Sequence, residues 1–397
     1  MIDYSIYKHG SRRDGKRKLF ICDTRSRHIT VDGDVRDADK QQQKEINVSF
    51  IHNEVIINLM SEEKLSKKQA KYTSEDLKRL QSYPLWRKIQ ITKSRIIEFQ
   101  QEFQNKTYIS FSGGKDSTVL LHIAKQINPD IPAVFIDTGL EYPEVREFAL
   151  SQENVVRLKP EMNFRKVIER YGYPLISKEV SRYISVARNS PNGKVAQKFV
   201  PGNSHDLKYG MGYSMVKWAD LKDSDIPISH MCCDIMKKNT AKKFEKETGR
   251  HPITAMMACE SRLRQNAWLK NGCNAFDIKR PISNPMSFWT EQDVLEYILQ
   301  YEIPYSSVYG EIVRNDNGQL RTTKCDRTGC VFCCYGIKSD GDPNRFQRLK
   351  QTHPKLWEYC MRDWDKGGLG MKNVLEYIGV KTGCETDTEN QNSVSDL

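Results

Sequence analysis

Over residues 1–70, short apolar runs (Leu19-Phe20-Ile21, Val48-Ser49-Phe50-Ile51, Val55-Ile56-Ile57) are set between charged turns. Runs of this length with β-branched and aromatic content predict a small β-rich or mixed lead-in. The period then changes. Thr73-Ser74-Glu75-Asp76 has the order of a helix N-cap followed by an acidic first turn. After Pro84, the positions Leu85, Ile89, Ile96, Phe99 and Phe103 recur at near-helical spacing and predict the buried face of a helix. Tyr108-Ile109-Ser110-Phe111 reads as a buried strand, Thr118 to Ala124 as the helix after it, and Ala133-Val134-Phe135-Ile136 as a second buried strand. Thr290-Glu291-Gln292-Asp293 opens another capped helix, with Val294, Leu295, Ile298 and Leu299 on its apolar side. Strand–helix–strand alternation predicts an α/β fold, an open, mostly parallel sheet with helices on both faces, whose ligands collect at the carboxyl ends of the strands.

This pattern divides the chain into a lead-in (1–72), an α/β domain (73–300) and a Cys-rich region (301–384). The acidic stretch 385–397 is expected to be a disordered tail. Within the α/β domain, residues 185–229 are rich in Gly, Pro, Ser and Asn and carry Lys194, Lys198, Lys208, Lys217, Phe199, Tyr209, Tyr213 and Trp218. They predict a long insertion, either a substrate lid or a solvated loop. No apolar run approaches the ~18 residues of a membrane span, and the N-terminus has no apolar signal core. A cytoplasmic protein without membrane partners is the expectation. The net charge of +11 suits anionic substrates such as nucleotides and suits nucleic acid equally.

The chemistry concentrates first at Ser112-Gly113-Gly114-Lys115-Asp116-Ser117, between the first strand and its helix. Glycines allow positive φ and close backbone approach, and the first N–H groups of a helix lack intrahelical partners and point at an anion. The hexapeptide predicts a phosphate cradle, although the G-x-x-x-x-G-K-[ST] spacing is absent. Asp137 ends the second strand, where a carboxylate would meet a magnesium–phosphate unit or a ribose hydroxyl, or would simply form the turn. Asp116 would either face the phosphates or cap the helix.

The eleven cysteines are clustered. Cys330-Val331-Phe332-Cys333 is a C-x2-C turn, which aims two thiolates at one metal. Cys325 and the tandem pair Cys232-Cys233 are available as further ligands, for tetrahedral zinc or for an iron–sulfur cluster. Lys237 and Arg327 are expected to lower nearby thiol pKa values. Cys22, Cys259, Cys273 and Cys360 are isolated and read as packing residues.

The loop resembles the PP-loop, S-G-G-x-D-S, of the adenine-nucleotide pyrophosphatase and phosphoadenosine phosphosulfate (PAPS) reductase superfamily. Four further stretches resemble that family in order: Val134 to Glu144 containing Asp137-Thr138-Gly139, Cys232 to Lys238, Glu260-Ser261-Arg262-Leu263-Arg264, and Pro285 to Val294 with its W-x-x-x-D-V pattern. The resemblance covers about residues 75–380. It implies an adenine-nucleotide alpha-hydrolase-like fold that binds PAPS, APS or ATP (with magnesium) through Ser112, Gly113, Gly114, Lys115, Asp116, Ser117, Asp137, Thr138, Gly139, Glu260, Ser261 and Arg264. Lys115, Asp116, Lys237 and Arg264 would act in catalysis, with Cys384 as a mobile nucleophile. By resemblance to APS reductases, a 4Fe-4S cluster would sit on Cys232, Cys233, Cys330 and Cys333, with Cys325 as a fifth candidate ligand and zinc as the alternative metal.

The chain departs from this family where sulfonucleotide reductases carry E-C-G-x-H. It has Gly383-Cys384-Glu385 with no histidine following. Three functions remain open. The first is a PAPS reductase-like enzyme drawing on a reductant protein or sulfur donor. The second is an ATP-dependent sulfurtransferase that modifies nucleic acid, of the tRNA thiolation or DNA phosphorothioation type. The third is a nucleotide-binding regulator without turnover.

Overall fold

The computed structural model describes residues 70–203 and 214–383 in full, and towards the N-terminus the backbone of five strands. Cys384, the tail 385–397 and residues 204–213 of the insertion lie outside the described residues. The N-terminal strands are β1 (Tyr4–Gly10), β2 (Arg17–Asp23) and β3 (His28–Thr30), an antiparallel sheet in that order, and the antiparallel pair β4 (Lys44–Ile51) and β5 (Glu54–Ser61).

There follow α1 (Ser74–Gln81), α2 (Leu85–Glu102), β6 (Thr107–Phe111), α3 (Lys115–Ile127), β7 (Ala133–Ile136), α4 (Pro143–Ser151), β8 (Val155–Leu158), α5 (Phe164–Tyr171), β9 (Leu175–Ile176) and α6 (Lys178–Asn189). Then come α7 (Ala219–Asp223), α8 (Asn239–Thr248), β10 (His251–Ile253), α9 (Arg262–Asn271), β11 (Asn274–Ala275), β12 (Ile282–Ser283) and α10 (Glu291–Gln300). The chain finishes with β13 (Ile312–Arg314), β14 (Leu320–Thr322), β15 (Cys334–Tyr335), α11 (Arg345–Thr352), α12 (Pro354–Met361) and α13 (Met371–Tyr377). Parallel strand pairs linked through helices make this the α/β fold that the alternation predicts.

Two compact units interleave along the chain. The first gathers Met1–Ser110, Asp116–Pro132 and Arg250–Ile303. In it β6 lies parallel to β10 (Thr107↔His251, Ile109↔Ile253), β10 lies parallel to β12, and β11 pairs antiparallel with β12. α2 buries Leu85, Ile89, Ile96 and Phe99, as the spacing predicts, and Phe103 follows its last turn. The Thr73 and Thr290 starts are both full capping boxes, each threonine exchanging hydrogen bonds with an aspartate three residues on. The α10 stripe differs at one position from the sequence reading. Leu299 is 46% exposed and Tyr297 is buried instead, because Tyr297 packs edge-on against Trp289 and tilted against Tyr301 while its hydroxyl meets His122. Trp289, itself fully buried, donates from its indole N–H to Thr92 at 2.9 Å. One turn away, the buried Lys88 ammonium meets both carboxylate oxygens of Asp293 at 2.7 Å.

The second unit gathers Phe111–Lys115, Ala133–Gly249 and Pro304–Leu397. β7 and β8 run parallel from Ala133↔Val155 to Ile136↔Leu158, and β9 is parallel to β15. Val167, Leu175, Ile184, Phe346 and Leu375 belong to its core, with Cys334 and Cys360 buried among them. Much of the insertion is packed rather than solvated: Ala196, Phe199, Met215 and Leu221 join that core. Arg188 explains why the segment holds together, since its guanidinium donates to the carbonyls of Leu221, Lys222, Ser224 and Ile226. Among the described residues no helix is long and apolar enough to cross a membrane.

Candidate functional site

β6 ends at Phe111, where the second unit takes up Ser112-Gly113-Gly114, and α3 opens at Lys115. The two glycines are required for different reasons. Gly113 has φ +74°, and a Cβ there would meet the Val145 carbonyl at 2.8 Å and Ala149 at 3.0 Å. It is the residue that lets the loop pass against α4. A Cβ on Gly114 would point instead at the Tyr309 and Thr328 hydroxyls, at 3.1 and 3.2 Å. Lys115 is buried; its backbone N–H donates to the Tyr309 hydroxyl at 3.1 Å and its ammonium to the Asp326 carbonyl at 2.6 Å. Asp116 and Ser117 follow in the first turn of α3.

β7 delivers Asp137 to its carboxyl end, where Arg146 and Arg157 both hold the carboxylate, at 3.0 Å and 2.7 Å for the closest Nε contacts. Burial pushes the Asp137 carboxyl upward, and the two guanidiniums together outweigh it, so the group stays below its ordinary 3.8. The pair therefore contributes stability that is complete above the ordinary carboxyl range and is lost as pH falls through the lowered folded-state value. Asp137→Asn is expected to flatten the acid limb of a denaturation-versus-pH curve below about pH 4; an acid limb as steep as that of the wild type would contradict this.

Beyond Asp137 the chain closes on itself. The Thr138 N–H and hydroxyl both donate to Glu141, at 3.1 and 2.7 Å, and Gly139 takes φ +72°. Glu141 in turn stands 3.8 Å from the Lys237 ammonium. Lys237 lies on a single π-helical turn, Asp234–Lys238, directly after the tandem cysteines. Such turns occur frequently at functional sites. Asp234 in this turn is braced by Lys178 and Lys238, at 3.1 and 2.9 Å.

Lys237 faces Cys330, and Cys330 in turn faces Cys233. Cys333 feels the charges of Cys330 and Cys233, and Cys232 those of Cys233, Cys330 and Cys333. The structure thus brings Cys232, Cys233, Cys330 and Cys333 into one cluster. The C-x2-C turn is closed by a Cys333 N–H to Cys330 carbonyl bond of 3.0 Å, and Arg345 clamps its far side through the carbonyls of Cys333 and Tyr335. The expected lowering of thiol pKa values does not materialise. Burial pushes up Cys232, Cys330 and Cys333, the last to about 11, and Lys237 only opposes this at Cys232 and Cys330.

Four neighbouring thiols are soft donors of the kind that suits a thiolate-bound metal group. As the side chains stand, no group of three or more His, Cys, Asp or Glu among the described residues is arranged to hold a metal ion. Cys325 stands apart from the four: its neighbours are Tyr142, Lys115 and Arg348, and its thiol donates to the Arg327 carbonyl at 3.0 Å. Glu260, Ser261 and Arg264 form a local group in the first unit, with Ser261 capping α9 and Glu260 ion-paired to Arg264.

Sequence reasoning passed over several of these residues. Glu141 lies inside the quoted run Val134 to Glu144 and was legible there as an acidic residue next to the turn. Tyr309, Thr328, Arg146 and Arg157 carry no local signal. Cys334 adjoins the C-x2-C unit yet points into the core, fully buried.

Residues 106–175 match the family model of the phosphoadenosine phosphosulfate reductase domain. Two uncharacterized proteins of Methanocaldococcus jannaschii are each 25% identical to the chain. One match spans 264 residues (65% of this chain, 41% of the relative) and the other 272 residues (66% and 49%). A phosphoadenosine 5'-phosphosulfate reductase of Synechococcus sp. is 32% identical over 105 residues, 24% of this chain and 45% of that protein. The chain therefore spans less than half the length of each of these curated relatives. The phosphate complex of a PAPS reductase from Candida auris overlays with a TM-score of 0.32 at 13% identity, covering 63% of this chain and 99% of that one; at that level the overlay carries no structural argument. The segment that matches the phosphoadenosine phosphosulfate reductase domain, residues 106–175, is the one that holds the glycine loop and the Asp137 strand end, and it is over this segment that the chain is similar to that family.

Proposed function

We propose that this protein is an enzyme that binds an adenine nucleotide by its phosphates at Ser112–Ser117 and carries out sulfur chemistry beside the Cys232, Cys233, Cys330 and Cys333 thiols. The observation that carries the reading is the short covalent and polar path between the two sites. Lys115 of the loop bonds to the carbonyl of Asp326, four residues before Cys330, and Glu141 connects the Asp137 turn to Lys237 and so to Cys330. A nucleotide seated on the loop would place its reacting end near a region of positive charge, Lys115 and Lys237, which favours an anionic substrate and a thiolate nucleophile. In the PAPS version a thiolate attacks the sulfonate sulfur. An S–S bond forms, the S–O bond to the nucleotide breaks, and a dithiol reductant then releases sulfite. Cys384 is the nucleophile proposed from its place in the sequence.

The four thiols would hold a 4Fe-4S cluster, or zinc, and that group would supply redox tuning or a fixed anchor for the site. The Cys330→Ser variant is expected to lose essentially all bound metal on anaerobic purification, measured as iron, zinc and sulfide per chain; full metal content would remove Cys330 from the ligand set.

The second reading, ATP-dependent sulfur transfer to nucleic acid, is favoured by one specific observation: no histidine follows Gly383-Cys384-Glu385, so the E-C-G-x-H element is incomplete. Turnover separates the two. Sulfite release from PAPS supports reduction, whereas pyrophosphate release from ATP alone supports the transferase. Bound nucleotide with neither product would leave the regulator reading.

A further inference from the structure

The phosphate loop is covered by its own chain. Tyr309 is buried, and its hydroxyl accepts the Lys115 N–H at 3.1 Å while pairing with the Thr328 hydroxyl at 2.7 Å. The Tyr309 ring lies 5.1 Å from the Lys115 ammonium, and that ammonium donates to the Asp326 carbonyl at 2.6 Å. A backbone N–H at a helix start and a loop lysine are the groups that meet anion oxygens at such sites. Here both have an uncharged oxygen from the segment 309–328 against them.

The segment is a single tied piece. The Lys324 N–H donates to the Tyr309 carbonyl at 3.1 Å, the Thr323 N–H to the Glu311 carbonyl at 2.9 Å, and the Thr322 hydroxyl to the Cys325 carbonyl at 2.9 Å. Its end at Thr328 is two residues from Cys330.

We propose that the strap from Tyr309 through the β13–β14 hairpin to Thr328 is an autoinhibitory latch, whose Tyr309 hydroxyl and Asp326 carbonyl stand in for phosphate oxygens and must be displaced by an incoming polyphosphate. The proposal rests on the reading of Ser112–Ser117 as a phosphate site. Displacement of the strap pulls on the C-x2-C turn, so occupancy of the nucleotide site is transmitted to the thiol cluster through the chain itself. A neutral hydroxyl and carbonyl are weaker partners for Lys115 than a charged phosphate, so the exchange runs towards the ligand.

The test uses the full chain and inorganic pyrophosphate as probe, followed by titration calorimetry. Tyr309→Phe keeps the ring and removes only the oxygen on Lys115 N–H; Thr328→Val removes the partner that holds the Tyr309 hydroxyl. With the latch loosened, pyrophosphate is expected to bind roughly three- to tenfold more tightly to Tyr309→Phe, and more tightly, by a smaller factor, to Thr328→Val. Pyrophosphate added to the wild type is expected to speed amide exchange across residues 320–330. Wild-type binding with unchanged affinity in both variants, or weaker binding because the hydroxyls contact the ligand, overturns the latch and leaves the phosphate site standing. Slowed exchange over 320–330 also overturns it. Absence of pyrophosphate and nucleotide binding in all three proteins overturns the phosphate site, and the latch with it. Should Tyr309→Phe fail to fold, Thr328→Val and the exchange measurement decide.

Discussion

Gly114→Val is expected to leave a folded chain whose affinity for ATP, PAPS and pyrophosphate is lower by at least about a hundredfold, on the order of 3 kcal/mol. The backbone at Gly114 does not require positive φ, and the first atoms that a Cβ would meet are hydroxyls at 3.1 and 3.2 Å rather than backbone. Those side chains can give way. The valine methyl groups would then occupy the space over the loop N–H groups that a phosphate needs. Gly113 differs, since any side chain there runs into the α4 backbone at 2.8 Å with φ already positive; its substitution costs the fold before it costs the ligand. The check is calorimetry alongside a thermal melt. Wild-type nucleotide affinity in a folded Gly114→Val protein would remove the loop from the binding site.

Asp293→Ala is expected to destabilise the chain by about 3–5 kcal/mol, the usual cost of leaving a buried charge uncompensated. The Lys88 and Asp293 side chains are 3% and 10% exposed, and the lysine sits between both carboxylate oxygens. The same carboxylate also receives the N–H and hydroxyl of Thr290, at 2.7 and 2.8 Å, so the α10 start loses its cap in the same change. Against a typical total of about 5–15 kcal/mol this is a large fraction. Replacing both partners with apolar residues should cost far less, because no buried ion remains. Urea denaturation of the two variants tests the point; an Asp293→Ala midpoint close to that of the wild type would sink it.

What the sequence made legible is local. The capping boxes at Thr73 and Thr290 are three-residue spacings, the β6–loop–α3 unit is a contiguous stretch, and Cys330 and Cys333 sit on one turn. Each is set by neighbours along the chain, and each appears in the structure where the pattern put it. What escaped reading is long in sequence separation. Lys88 meets Asp293 across 205 positions and Lys115 meets Tyr309 across 194. Asp137, expected either to meet a magnesium–phosphate unit or a ribose hydroxyl or to form the turn, is held by arginines nine and twenty residues on. Burial reversed one electrostatic expectation too: Lys237 was expected to lower the thiols, and desolvation raises them instead. No one-dimensional pattern reports how much water a folded core removes.

β15 begins at Cys334, directly after Cys333, and successive side chains of a strand face opposite ways. Within β15 Tyr335 lies on the side of the thiol cluster, near Cys232, Cys233 and Cys333, while Cys334 is walled into the core beside Cys360. Two chemically identical neighbours, Cys333 and Cys334, thus have different surroundings, one among other thiols and one in the core. The pairing Cys334↔Leu175 and Tyr335↔Ile176 fixes which way each strand residue faces. A shift of one residue in this two-residue strand would turn Cys334 out of the core and Tyr335 into it without altering the composition of the protein.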